Sequence, residues 1–184
     1  NIVDIDNVDL DFLRLESYCA LNRYDSILEY IQQLTLNKCP YIEAVYEFVS
    51  SLLNDAEGLE KECCEFIDKG MTLYPNNLSI KEEYCYSLEN KGKYKEAIDV
   101  CNELIDSNPY SHHYWLTLGR LHSTIADYEK AIEDFDFALT CNDSDLEIKI
   151  LKAYCLYMNE NYEKAFEVYS DISQNKASDE ETLE

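Results

Sequence analysis

Along most of the chain apolar residues return every three or four positions, with polar residues filling the intervals. Tyr24-x-x-Ile27-x-x-x-Ile31-x-x-Leu34 is one such run; Val45, Phe48, Val49 and Leu52 form a second, and Ala97, Cys101 and Leu104 a third. Spacing of i, i+3, i+4 and i+7 collects these side chains on one stripe of an α-helix, the stripe that packs on neighbours. Only 4 Gly and 3 Pro are available as breakers. The pattern therefore predicts helices joined by short turns.

The breaks between runs are periodic. Pro75 and Pro109 lie 34 residues apart, each closes an apolar run, and Asp143 and Ala177 continue the step. Tyr94, Tyr128 and Tyr162 open helices at the same interval, followed by Ala97, Ala131 and Ala165. Between two runs, Lys91-Gly92-Lys93-Tyr94 supplies a residue that tolerates the left-handed conformation. A single hairpin cannot bury its own apolar face, so stacked copies must build the core. Cutting at the period gives copies at about 8–41, 42–77, 78–111, 112–145 and 146–179, or ten antiparallel helices. The second copy is 36 residues long, and its two extra residues are expected in the turn near Asp55-Ala56-Glu57-Gly58.

The fourth copy is the clearest. It reads Trp115-x-x-Leu118-Gly119-x-x-His122, then Ala131-x-x-x-Phe135, then Ala138. This resembles the signature of the tetratricopeptide repeat (TPR), Trp-x-x-Leu-Gly-x-x-Tyr followed by Ala-x-x-x-Phe. His122 stands where the family usually has Tyr, and Asp143 where it usually has Pro. The flanking copies lack the Trp and Gly but keep small and aromatic positions, with Tyr84, Cys85 and Leu88 in one and Ala153, Ala165 and Tyr169 in the other. The resemblance implies an all-α fold: a right-handed α-α superhelix forming one solenoid domain over 1–184.

The chain opens Asn1-Ile2-Val3-Asp4 without Met, and Leu183-Glu184 resembles a vector-derived remnant, so it reads as a fragment of a longer protein. TPR arrays usually end with an extra solvating helix. The polar stretch from Ser178 to Glu184 is too short to be one. The last hairpin is therefore expected to be uncovered, and self-association through it is one expectation.

Charge narrows the partners. Lys and Arg number 15 against 38 Asp and Glu, for a net charge of −23. Such a field repels phosphate backbones and anionic lipid surfaces, which disfavours nucleic-acid and membrane-surface roles. No apolar stretch of about 18 residues is present, so membrane insertion is not expected. Eight cysteines are scattered without a Cys-x-x-Cys pair or a His at zinc-finger spacing. They read as reduced core residues, which points to the cytoplasm.

No Gly-x-Ser-x-Gly, phosphate-binding Gly-rich loop or His-Glu-x-x-His occurs. His112 and His113 flank a helix start, and His122 sits at a packing position. The expectation is a chain without catalytic activity, cofactor or metal.

The family resemblance implies a concave groove lined by the first helix of each hairpin, which takes a peptide or helix of a partner. Transferred here, it places Phe12 and Glu16, then Tyr46, Ser50 and Leu53, then Glu82, Tyr86 and Glu89 on that side. The fourth copy offers His113, Leu116 and Arg120, and the fifth Ile150, Tyr154 and Tyr157. Tyrosines among carboxylates suit a protein or peptide ligand with apolar anchors and basic groups. Arg120 alone is cationic at these positions, which disfavours the TPR type that clamps a C-terminal carboxylate pair. The alternative is a structural spacer or oligomerisation segment with no groove ligand.

Overall fold

The computed structural model of the chain describes residues 5–54 and 57–181, with side chains described over 8–54 and 57–173. Among the described residues there are ten helices and no strand. They are α1 (Ile5–Ala20), α2 (Tyr24–Leu36), α3 (Ile42–Asn54), α4 (Glu60–Leu73), α5 (Leu78–Asn90), α6 (Tyr94–Ser107), α7 (His112–Thr124), α8 (Tyr128–Cys141), α9 (Leu146–Met158) and α10 (Tyr162–Glu181). Their backbone contacts gather into two compact units, residues 1–91 and 92–184. Residues 1–4, Asp55, Ala56 and 182–184 lie outside the described residues, and with them the readings made on the two chain ends. From Ser178 to Glu181 the backbone simply continues α10.

One turn device recurs inside every hairpin. Asn22, Gly58, Gly92, Ala126 and Glu160 all have positive φ, between 52° and 82°. The next residue can then donate its N–H to the carbonyl five positions back: Arg23 to Tyr18 at 2.8 Å, Asp127 to His122 at 2.9 Å and Asn161 to Leu156 at 2.9 Å. This bond satisfies a carbonyl left open at the helix end and fixes the chain's exit. A side chain in the left-handed region costs about 1–2 kcal/mol. Asn22, Ala126 and Glu160 carry that cost, so glycine marks the turn in sequence only at Gly58 and Gly92.

Helix starts are fixed by side-chain caps at two hairpins. Asn77 Oδ1 accepts from the Ile80 N–H at 3.0 Å, and Asp145 Oδ1 accepts from the Ile148 N–H at 3.2 Å. Both satisfy amides that have no partner within the helix.

In the first unit the core runs through Leu15, Ile27, Ile31, Val45, Val49, Leu53, Phe66, Ile67 and Ile80. The small buried side chain of each first helix lies seven residues before the left-handed turn at Cys85, Gly119 and Ala153, and Leu15 holds the same place. In α3 the buried small residue is Ser50, eight before Gly58. The connection from α3 to α4, residues 55–59, is two residues longer than the connections at 91–93, 125–127 and 159–161, as the spacing predicts. Lys38, in the α2–α3 connection, has a φ of 54°.

In the second unit the fourth copy packs as its motif requires. A Cβ on Gly119 would stand 2.5 Å from Phe135 Cε1, so the missing side chain is what lets α7 approach α8. Phe135, Ala131 and Ala138 are fully buried. Trp115 stacks on Phe137 with ring centroids 4.7 Å apart, and its Nε1–H donates to the Pro109 carbonyl at 2.8 Å.

None of the eight cysteines forms a disulfide, and Cys19, Cys63, Cys85, Cys101 and Cys155 are buried. Burial pushes the Cys63 thiol up to about 12, so it packs as an uncharged group.

Candidate functional site

In the first unit, α3 and α5 enclose a cleft of about 440 Å³. Glu47, Phe48 and Ser51 line it from α3, and Ser79, Glu82 and Glu83 from α5. Beside it, Phe12 of α1 meets Phe48 edge-on with ring centroids 4.8 Å apart. Asn77 Nδ2 donates to Glu43 at 3.0 Å and to Glu47 at 3.4 Å, tying the rim of α3 to the start of α5. Three carboxylates around one aromatic ring match a side chain with an apolar stem and a cationic head.

Glu82, expected on this side, lines the cleft, while Tyr86 and Glu89 are half-buried further along α5. Tyr46 does not belong with them. It is 4% exposed, stacked on Phe66 with centroids 5.0 Å apart and planes 13° apart, and tilted against Tyr74. Burial raises its phenol above the usual range. Ser50 and Leu53 are buried as well. The buried stripe of α3 is one residue out of step with the start of the helix: Val45, Ser50 and Leu53 take the places of Ile80, Cys85 and Leu88, a turn of about 100° that exchanges core for surface. Glu47 and Ser51 are the residues missed. Aligning Ser50 with Gly119 and Ala153 as the small position is the sequence signal that finds them.

In the second unit the equivalent positions fall on α7 and α9. His113 is exposed and Arg120 half-buried on α7. On α9, Ile150, Tyr154 and Tyr157 are 43%, 45% and 56% exposed. Tyr157 leans edge-on against Tyr162 with centroids 5.4 Å apart. This face is apolar where the α3–α5 cleft is acidic.

A family model described as tetratricopeptide repeat matches residues 112–142, the copy built on Trp115, Gly119 and Phe135. Among solved structures, MamA 41-end from Desulfovibrio magneticus RS-1 superposes with a TM-score of 0.75 at 15% identity, over 91% of this chain and 94% of that one. The fold is that of tetratricopeptide repeats. A tetratricopeptide repeat protein from Parabacteroides merdae ATCC 43184 gives a TM-score of 0.76 at 16% identity, over 92% of this chain and 66% of that one. MamA MSR-1 gives 0.71 at 16% identity, over 95% and 99%. No curated protein sequence matches the chain.

At the TPR position usually held by Tyr, His122 is buried and its Nδ1 lies 2.5 Å from Asp134 Oδ2, itself 7% exposed. Burial holds the Asp134 carboxyl above the usual range, against the pull of His122. The pair bridges α7 to α8 inside the hairpin. Among the described residues no three His, Cys, Asp or Glu side chains gather as a metal site. No helix among them is long and apolar enough to cross a membrane.

Proposed function

We propose that this chain is a non-catalytic protein-interaction scaffold whose first-helix faces hold a peptide or helix of a partner. The observation that carries the reading is the α3–α5 cleft, where Glu47, Glu82 and Glu83 surround Phe48. It takes a lysine or arginine side chain, the stem on the ring and the head among the carboxylates. Tyr86 and Glu89 extend that face along α5. On the second unit His113, Arg120, Tyr154 and Tyr157 form a separate contact face, with the tyrosines as apolar anchors. The net charge of −23 speeds encounter with basic segments. Eight cysteines outside any disulfide suit a reducing compartment such as the cytoplasm.

Selection from a displayed random-peptide library tests this. Enriched peptides should carry Lys or Arg beside apolar residues. Their affinity should fall at least about tenfold on Glu47→Lys/Glu82→Lys, with circular dichroism unchanged. Peptides lacking basic residues, or binding that ignores both this change and Tyr154→Ala/Tyr157→Ala, would remove the reading and leave the structural-spacer alternative.

A further inference from the structure

The second helix of a hairpin opens with tyrosine in every copy but one. Tyr24, Tyr94, Tyr128 and Tyr162 begin α2, α6, α8 and α10, whereas Glu60 begins α4. Tyr24 and Tyr128 are half-buried and pack against the cores of their units, and Tyr94 is half-buried too. Glu60 is exposed instead. The difference continues two turns on, where α4 has Ile67 at the place that Phe135 holds in α8.

Beside Glu60 lies a cavity of about 310 Å³, walled by the last turn of α3, the first two turns of α4 and the last turn of α5. Leu53, Cys63, Ile67 and Ser87 are its buried residues, while Glu60 and Asn90 are exposed at its mouth. In the second unit the places of Cys63, Ile67 and Ser87 belong to Ala131, Phe135 and Cys155, which are buried in one cluster with Tyr128 packed against it. Two aromatic rings there are a carboxylate and an isoleucine here. The cavity is thus the volume that ring atoms occupy in a well-packed hairpin. Its wall also carries a polar group to be satisfied. Ser87 is 2% exposed, and its hydroxyl has no hydrogen-bond partner among the described residues, an unfavourable state that a ligand group relieves.

We propose that this cavity receives the side chain of a tyrosine from a partner polypeptide. The internal repeat sets the ring, since the chain's own tyrosines open the second helices of the other four hairpins. Leu53, Cys63 and Ile67 give the ring an apolar bed, and Ser87 Oγ meets the phenol O–H, which favours tyrosine over phenylalanine. At the mouth the Glu60 carboxylate accepts from a backbone N–H of the partner and the Asn90 amide bonds its carbonyl. A small free phenol would leave both unused, so a polypeptide is the better-matched occupant. The cavity shares no residue with the α3–α5 cleft and does not rest on the reading of that face.

The test is a titration of the whole chain, read on its backbone amide NMR signals, with acetyl-Gly-Gly-Tyr-Gly-Gly-amide, its phenylalanine counterpart and p-cresol. The tyrosine peptide should move the signals of Cys63, Ile67 and Ser87 to saturation, with the phenylalanine peptide about threefold weaker or more. Glu60→Tyr fills the cavity from within and should abolish these shifts, with circular dichroism verifying that the helices are kept. Ser87→Ala is the milder second variant and should erase the preference for tyrosine while leaving the phenylalanine peptide unaffected. Absence of saturable shifts with the tyrosine peptide, or shifts that survive Glu60→Tyr, overturns the proposal. So does p-cresol binding at least as tightly as the tyrosine peptide, since the cavity would then belong to a free phenol.

Discussion

The α3–α5 cleft and the α7–α9 face occupy equivalent positions of the same repeat and differ in chemistry. The first gathers Glu47, Glu82 and Glu83 around Phe48; the second exposes Ile150, Tyr154 and Tyr157 on α9, with His113 exposed and Arg120 half-buried on α7. Hairpin geometry decides which positions reach these faces. The residues placed there, free of the packing demands met by Gly119 or Phe135, decide what each can hold. The two units also differ inside: the fourth copy closes α7 on α8 through a glycine, whereas α3 meets α4 through Ser50 and a stacked Tyr46–Phe66 pair.

The sharpest break between the two faces is a pair of tyrosines. Tyr46→Ala should lower stability by about 3–5 kcal/mol, the range for emptying a buried aromatic site. Tyr154→Ala should stay within about 0.5 kcal/mol, as for an exposed side chain. Chemical denaturation of both variants decides it; equal small effects would return Tyr46 to the binding face.

Two glycines come next. Gly119→Ala should cost about 2 kcal/mol, because the new Cβ meets the buried Phe135 ring at 2.5 Å and the ring has no room to yield. At Gly70 a Cβ finds Ile80 Cγ2 at 3.4 Å and Tyr46 at 3.6 Å, ordinary contact. Gly70→Ala should therefore raise stability by up to about 1 kcal/mol through helix propensity. Thermal melts of the two variants should move in opposite directions.

For binding, peptides selected on the chain should divide by face. Those that lose about tenfold on Glu47→Lys/Glu82→Lys should weaken with salt, and those that depend on Tyr154 and Tyr157 should not. Titrations at low and high ionic strength read the split.

The smallest effect belongs to the His122–Asp134 pair. Burial raises the Asp134 carboxyl in the folded chain, so the folded state holds this proton more tightly than the unfolded state. Its contribution to stability is fully present below the ordinary carboxylate range and is lost as pH rises through the raised value. The stability difference between wild type and Asp134→Asn should accordingly decline with rising pH over that window. Urea midpoints measured across it would show a flat difference if Asp134 does not titrate there.

Much of this was legible in the sequence because a helix writes its packing face into a period. Trp115, Leu118, Gly119, Ala131 and Phe135 announce one hairpin, and the 34-residue step carries the pattern to Ala97, Ala153 and Ala165. Where motif residues thin out, the reading lost its phase. Val45, Tyr46, Val49, Ser50 and Leu53 are all buried in α3, but the stripe read from sequence was Val45, Phe48, Val49 and Leu52. Both sets obey helical spacing, and only the helix packed against α3 separates them.

The sequence by itself determined the helical hairpins, their number and most of their boundaries, because apolar spacing and turn residues act locally. The tertiary structure alone decided three things. It set the phase of α3, since one inserted residue turns a helix by about 100° and only the facing α4 shows which stripe is covered. It paired His122 with Asp134, a contact between two helices that no local pattern records. It also left Phe166 exposed while its counterpart Ile132 is half-buried, since what covers a repeat is the helix stacked upon it.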